Sequence, residues 1–175
     1  MKTRYTHDYT IAFHEAAHAV TRIALGLSVK YIEISDPSTG REGYMETFDS
    51  RCFAHDVPAV IVASLASIPA ERILRPRATT FELICSACAD DWTDAEGMVR
   101  MLHGAEHAAV EIERYLRRAG KLVRKLAPVI HVVAAALVVR RHLGYIEILD
   151  LIPDDVQADG IAAKLERLGI VSGAA

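Results

Sequence analysis

HEAAH, residues His14 to His18, is the stretch of this chain whose residue types and spacing are best suited to chemistry. Two histidines four residues apart on a helix project from one face, so both imidazoles can reach a single zinc ion. The carboxylate of Glu15 then lies beside a metal-activated water and can accept its proton as the water attacks a peptide carbonyl. The spacing predicts zinc-dependent hydrolysis, with His14 and His18 as metal ligands and Glu15 as general base.

A catalytic zinc site needs a third protein ligand and leaves its fourth position to water. The extended pattern HExxHxxGxxH is not met, because Thr21 and Ala24 occupy the positions of its glycine and last histidine. A glutamate from a later helix could serve, but Glu33, Glu42 and Glu46 fall in a predicted hairpin. The residues alone leave the third ligand open.

A second histidine pair competes with the first. HGAEH, from His103 to His107, matches the inverted pattern HxxEH. That pattern needs an unbroken helix, and Gly104 stands where a helix is expected to end. Residues of a loop and a helix terminus are the simpler interpretation.

The cysteines suggest another metal site. Cys85 and Cys88 have CxxC spacing, and Cys52 with His55 could add ligands. A structural zinc site of this kind usually needs two matched pairs, so buried small cysteines are the simpler interpretation. If Cys88 lies close to the metal site, its oxidation would disturb that site.

Composition limits the class of protein. The 175 residues are 51% hydrophobic and 25% charged, which is typical of one folded domain. A net charge of −3 gives no long-range attraction for polyanions, so no nucleic-acid partner is expected. Three cysteines argue against a disulfide framework, and the apolar stretch 126–139 is interrupted by Pro128 and His131. We therefore expect a cytoplasmic protein with no membrane span.

Apolar spacing predicts a mainly helical chain with one small β-hairpin. Strands are expected at 28–35 and 44–48, and the second is a candidate edge for an added peptide strand. Pro69 is expected to break a helix near Ile68, and Gly120 to separate two late helices. Helices are predicted over 9–25, 56–74, 90–102, 106–119, 121–142 and 155–168.

The order of motifs resembles the peptidase domain of FtsH-type ATP-dependent zinc metalloproteases. FHEAAHAV is similar to that family's HEAGHA, GREGYMET to its turn and GYT segment, and SIPAERIL to its GGRAAEE. CSACADDWTDAEGMVRML is similar to its GASNDLERATKIARRMV. The resemblance covers residues 5–152 in order, and it implies a helical, zincin-like metallopeptidase fold.

This resemblance implies a third zinc ligand and a domain division. Asp91 holds the position of the family's aspartate ligand, with Asp90 as the alternative and helix capping as the simpler role for both. The FtsH-like domain would span 1–152, and a short helix and tail, 153–175, would belong to the same domain. No other cofactor is expected besides Zn²⁺.

The expected activity is that of a zinc endopeptidase acting on peptides or unfolded protein segments. These residues contain no GxxxxGK[ST] phosphate loop, so unfolding of folded substrates would need an ATPase partner in trans. Assembly into a homo-oligomer, as in the ring-forming relatives, stays open. The rival hypothesis is a non-catalytic zinc-binding regulatory or interaction module with the same fold.

Overall fold

The computed structural model describes residues 6–35, 43–48 and 54–169. The described part of the chain is mainly helical, with 70% of its residues in helices and a small three-stranded antiparallel sheet. The predicted turn at 36–42, Cys52 and the tail from 170 lie outside the described residues. The helices are α1 His7–Ala24, α2 Val57–Ser64, α3 Ser67–Leu74, α4 Thr80–Ile84, α5 Ala89–His103, α6 Ala108–Arg140, α7 Tyr145–Leu149 and α8 Asp154–Arg167. The strands are β1 Tyr31–Ile34, β2 Gly43–Glu46 and β3 His142–Gly144.

Helix α1 is the central element of the fold. The Thr6 side chain caps its first turn by accepting from the Tyr9 backbone N–H. Its end is closed at Gly26, as predicted, where the chain turns with φ 68° and the Leu27 N–H donates to the Arg22 carbonyl. Between these caps α1 is buried on most of its circumference and packs against α3, α6, α8 and the sheet.

The helix predicted over 56–74 is two helices, and the break lies close to the predicted position near Ile68. Leu65 and Ala66 separate α2 from α3; both keep αR dihedral angles, but the Ala66 N–H donates to the carbonyl three residues back instead of four. In a continuous helix the Pro69 ring would clash with the carbonyl four residues earlier, that of Leu65. The break therefore precedes Pro69, which then lies in the first turn of α3, where its missing N–H is tolerated.

Helix α6 is continuous through Gly120, so the predicted separation there is wrong. A glycine costs a helix interior only about 1 kcal/mol relative to alanine. The buried stripe of α6, which includes Ala119, Val123 and Leu126, outweighs that cost by packing in the core. Gly120 is itself buried, and a Cβ on it would touch Pro69 of α3 at 4.0 Å.

The sheet has one strand more than the predicted hairpin. Strands β1 and β2 pair antiparallel, with Tyr31 opposite Glu46 and Ile34 opposite Gly43. Strand β3 was not predicted: the helix predicted over 121–142 ends at its first residue, and the strand pairs antiparallel with the other edge of β1. The order is therefore β2-β1-β3, and β2 lies at one end. Helix α4 also lies outside the ranges predicted as helix.

Two helical stretches are long and apolar enough to cross a membrane by length and composition. These are Val57–Leu74 and Ala108–Arg140, with 56% and 33% of their most apolar windows buried. Core helices of soluble proteins meet the same criteria, and α6 contributes Ile130, Val133 and Leu137 to the core. These properties therefore do not decide where the protein resides, and a cytoplasmic location stays a prediction.

Candidate metal centre

Helix α1 presents His14, Glu15 and His18 towards a cleft of about 750 Å³. The two imidazoles lie one turn apart, with ring centroids separated by 4.9 Å. Alanines at 12, 16, 17 and 19 are fully buried, so neighbouring elements approach the helix closely around these polar residues. Glu15 and His18 are consequently only 9% and 5% exposed.

Asp91 in the first turn of α5 completes a triangle with the two histidines. Its Oδ2 atom lies 3.1 Å from His14 Nε2 and 3.2 Å from His18 Nε2, and the two Nε2 atoms are 3.2 Å apart. Within the described residues, these three form the one group of potential ligands whose donor atoms all lie within 4.8 Å of one another. Asp90 is exposed and is not part of this triangle.

The triangle has the dimensions of a tetrahedral zinc site. Zinc–nitrogen and zinc–oxygen bonds of about 2.0–2.1 Å at tetrahedral angles place neighbouring ligand atoms about 3.3 Å apart. The observed edges of 3.1–3.2 Å match that separation closely. Three protein ligands would leave the fourth position of such an ion to water, as in catalytic rather than structural zinc sites.

Hydrogen bonding at the far side of His18 favours a cation at the centre of the triangle. His18 Nδ1 is 2.9 Å from the Ala63 carbonyl oxygen, which can only accept, so Nδ1 carries a proton. In the neutral imidazole, Nε2 then carries a lone pair instead of a proton. This lone pair faces the Asp91 Oδ2 atom, which lies 3.2 Å from Nε2. Two electron pairs at that distance repel unless a proton or a metal ion lies between them.

Two further side chains surround His14. Glu71 of α3 is 2% exposed, and its Oε1 atom lies 3.8 Å from His14 Nδ1. Its other carboxylate oxygen is buried without a hydrogen-bond partner. The thiol of Cys88, the residue that precedes α5, is a further neighbour that acts to raise the pKa of His14. Carboxylates in the position of Glu71 commonly orient a metal-binding imidazole.

The ionisation of His14 and Asp91 is strongly perturbed. Burial acts to lower the pKa of His14, but its interactions with Asp91, Cys88 and Glu71 outweigh burial and raise it well above its ordinary value. Burial acts to raise the pKa of Asp91, and the neighbouring His18 and His14 hold it far below its usual range. The pKa shifts of His14 and Asp91 therefore both favour a positive charge next to the Asp91 carboxylate.

Glu15 lies beside the triangle but does not belong to the group of three potential ligands. Burial raises the pKa of Glu15, while His14 and His18 oppose that change. Gly43 at the start of β2 lies against it, since a Cβ on this glycine would be 2.6 Å from Glu15 Oε1. A carboxylate with a raised pKa next to a metal position is suited to accept and return a proton near neutral pH.

The competing sites are not assembled among the described residues. Gly104 ends α5 with φ 82°, so His103 and His107 are not on one helix, and His103 Nε2 lies 3.1 Å from the Tyr115 hydroxyl. Cys85 is exposed and Cys88 is buried, and neither belongs to a group of three ligands. His55 lies 3.5 Å from Asp56 instead.

Comparison with known proteins links the candidate metal centre to no family. None of the protein-family models matches the chain, and none of the curated proteins matches it. The likeness to FtsH-type peptidases rests on the residues quoted above and on the triangle of ligands.

Sequence reasoning missed the roles of Glu71 and Gly43. Glu71 shares the buried face of α3 with Ser67 and Ile68, and a carboxylate on such a stripe is a signal that could have indicated it. Gly43 carried no comparable signal, because its contact with Glu15 depends on how β2 lies across α1. The approach of Cys88 to His14, which the sequence left open, likewise depends on where tertiary packing places the start of α5.

Proposed function

We propose that this protein is a zinc-dependent endopeptidase that cleaves peptides or unstructured protein segments. The observation that supports this proposal most is the triangle of His14, His18 and Asp91 donor atoms with edges of 3.1–3.2 Å, next to the buried carboxylate of Glu15. We assign the zincin-like, FtsH-related identity on the same grounds.

The chain's own residues have distinct roles in this chemistry. Zinc bound in the triangle would supply a Lewis acid that polarises a peptide carbonyl and acidifies a water. His14, His18 and Asp91 hold it, and Glu71 fixes the orientation of the His14 ring. Glu15 takes the proton from the attacking water and returns it to the leaving amine. No covalent bond between enzyme and substrate is required.

Metal content tests the ligand assignment. Purified wild-type protein should contain about one zinc per chain, and His14→Ala or Asp91→Asn should lose it. Asp90→Asn is the matched control, because it makes the same change one residue away on an exposed carboxylate. Zinc retained by Asp91→Asn but lost from Asp90→Asn would reverse the assignment.

Hydrolysis tests the enzymatic proposal against the non-catalytic module. Wild-type protein should cleave an unstructured protein such as casein, a chelator should abolish cleavage, and added zinc should restore it. Glu15→Gln should keep its zinc and lose activity by about 10²–10⁴-fold, the usual contribution of a general base. Bound zinc without turnover of any unstructured substrate would instead support the regulatory module.

A requirement for an ATPase partner would be visible in the same assay. The wild-type protein alone should then cleave unstructured segments but leave folded substrates intact. Cleavage of a stably folded protein without any added partner would contradict that expectation.

A further inference from the structure

A second cavity of about 300 Å³ lies beyond the end of β2. Its apolar lining includes Ile23 and Leu149 together with three side chains at its rim, Phe48, Tyr145 and Ile161. Phe48 and Ile161 are 62% and 63% exposed, and the Phe48 ring packs edge-on against Tyr145 at 5.6 Å. This volume is at the lower limit of small-molecule sites, which suits one large apolar side chain better than a whole cofactor.

The two cavities are neighbours along α1. Glu15 and His18 line the first cavity, and Ile23 lines the second, eight residues or about 12 Å beyond Glu15 at the helical rise. Arg22 lines the first cavity, and its Nε–H donates to the carbonyl of Ser28, which lines the second. Arg22 therefore links the linings of the two cavities.

Strand β2 runs in the same direction as α1, from the first cavity towards the second. Gly43 lies against Glu15, and Phe48, two residues beyond the end of β2, lines the second cavity; five residues of chain reach about 17 Å at most. Among the described strands, β1 is the one neighbour of β2, so β2 lies at the end of the sheet. An extended peptide beside β2 would advance by the same rise and would cover this distance with about five residues.

We propose that the second cavity is a distal specificity pocket of the same protease, which binds a large apolar side chain of the substrate about five residues from the cleaved bond. This inference rests on the proposed function and adds a substrate preference to it: extended segments with an apolar residue at that distance. The continuous path from Glu15 to Phe48 supports a single peptide as the occupant of both cavities.

Matched peptides test the pocket. Each peptide carries the same cleavable centre, and a phenylalanine or a serine is placed two, five or eight residues to either side of it. Zinc-loaded Glu15→Gln protein gives the dissociation constants without turnover, and wild-type protein gives kcat and KM. We expect phenylalanine at five residues on one side to strengthen binding and lower KM by about ten- to a hundredfold, with little change in kcat.

Variants of exposed residues test whether the effect of phenylalanine on binding arises in the second cavity. Phe48→Ser and Ile161→Ser change exposed side chains and should remove the benefit of phenylalanine while leaving the serine peptide unaffected. Val139→Ser is the matched control, because Val139 is 81% exposed on α6 and lines neither cavity. Thermal unfolding of each variant shows that the fold is kept.

Several outcomes would overturn the inference. Equal affinities for phenylalanine and serine peptides at every spacing would do so, as would equal losses in Val139→Ser and Phe48→Ser. Loss of a dimer in Ile161→Ser, with peptide affinity unchanged, would identify the cavity as a contact between copies of the chain. Failure of the proposed function would be distinct: no peptide would be hydrolysed, while binding to the zinc-loaded protein would still report on the pocket.

Discussion

Glu71 is the residue whose environment is hardest to explain without a metal. A carboxylate that is 2% exposed, with one oxygen lacking a hydrogen-bond partner, is costly to bury. Its nearest compensating group is the His14 ring at 3.8 Å, and Arg75 of the same turn reaches only to 4.0 Å. Orientation of a metal ligand accounts for this cost better than stabilisation of the fold does.

Substitution of Glu71 should therefore weaken metal binding more than folding. We expect Glu71→Gln, which keeps the volume of the side chain, to reduce zinc affinity by about 10–100-fold in a chelator competition assay. Glu96→Gln is the control, since Glu96 pairs with Arg100 on the exposed face of α5. An unchanged zinc affinity in Glu71→Gln would restrict Glu71 to a structural role.

Zinc binding should release a proton from His14. The pKa of His14 is raised well above its ordinary value, so a larger fraction of the imidazole carries a proton that zinc must displace. Affinity should then fall as pH decreases, by up to about tenfold per pH unit for one displaced proton. Calorimetry at pH 7 in buffers of different ionisation enthalpy measures the proton count.

The proton count should be sensitive to Glu71. Because the nearby Glu71 carboxylate contributes to the raised pKa of His14, Glu71→Gln should release a smaller fraction of a proton at pH 7. Zinc binding to the wild type with no proton released at pH 7 would be inconsistent with a protonated His14.

At the scale of the element, β2 and α1 act as a pair that fixes the general base. Gly43 lies where a side chain would collide with Glu15 Oε1 and with Ile11 Cγ2, both 2.6 Å from a Cβ. The position of Glu15 is therefore set by the strand above it as much as by the helix that carries it.

Gly43→Ala should impair catalysis without removing the metal. Displacement of a catalytic group by about 1 Å can cost about a hundredfold in rate, and we expect kcat to fall by that order while zinc content stays near one per chain. Hydrolysis rates and metal content measured on the same preparation separate the two effects. Wild-type turnover by Gly43→Ala would show that Glu15 tolerates the added methyl group.

At the scale of the whole molecule, α8 closes the fold against the end of α1 through a contact between glycines. A Cβ on Gly160 would lie 2.0 Å from the Ile23 carbonyl oxygen, and one on Gly26 would lie 2.2 Å from the Gly160 carbonyl oxygen. Asp56 and Arg167 form a partly buried ion pair that also ties α8 to the start of α2. The C-terminal helix is thus part of the same packed unit as the metal-binding helix.

Gly160→Ala should destabilise the protein. The collision is with backbone atoms, so helices must move apart, and we expect a loss of about 1–3 kcal/mol in the free energy of unfolding. Gly97→Ala is the matched control, because nothing lies within 4 Å of a Cβ at this exposed helical position and alanine should stabilise by up to about 1 kcal/mol. Urea denaturation compares the two, and equal stability of both variants would argue against tight docking of α8.

The sequence by itself determined the features that arise within one segment. The spacing of HEAAH places His14, Glu15 and His18 on one helix face, and apolar periodicity predicted α1, α5 and α8 to within a few residues. These predictions are reliable because a helical face repeats every three to four residues and depends only on near neighbours. The resemblance also indicated Asp91, which spacing could not have done.

The tertiary structure alone decided what depends on contacts between distant segments. The chain continues through Gly120 because the buried stripe of α6 outweighs a weak local preference, and His142–Gly144 forms a strand because β1 offers it a partner. Glu71, Gly43 and the cavity beside Phe48 acquire their roles only when α3, β2 and α8 pack around α1. Local sequence patterns determine which residues share one face of a helix or strand. Packing between distant segments determines which other residues they contact.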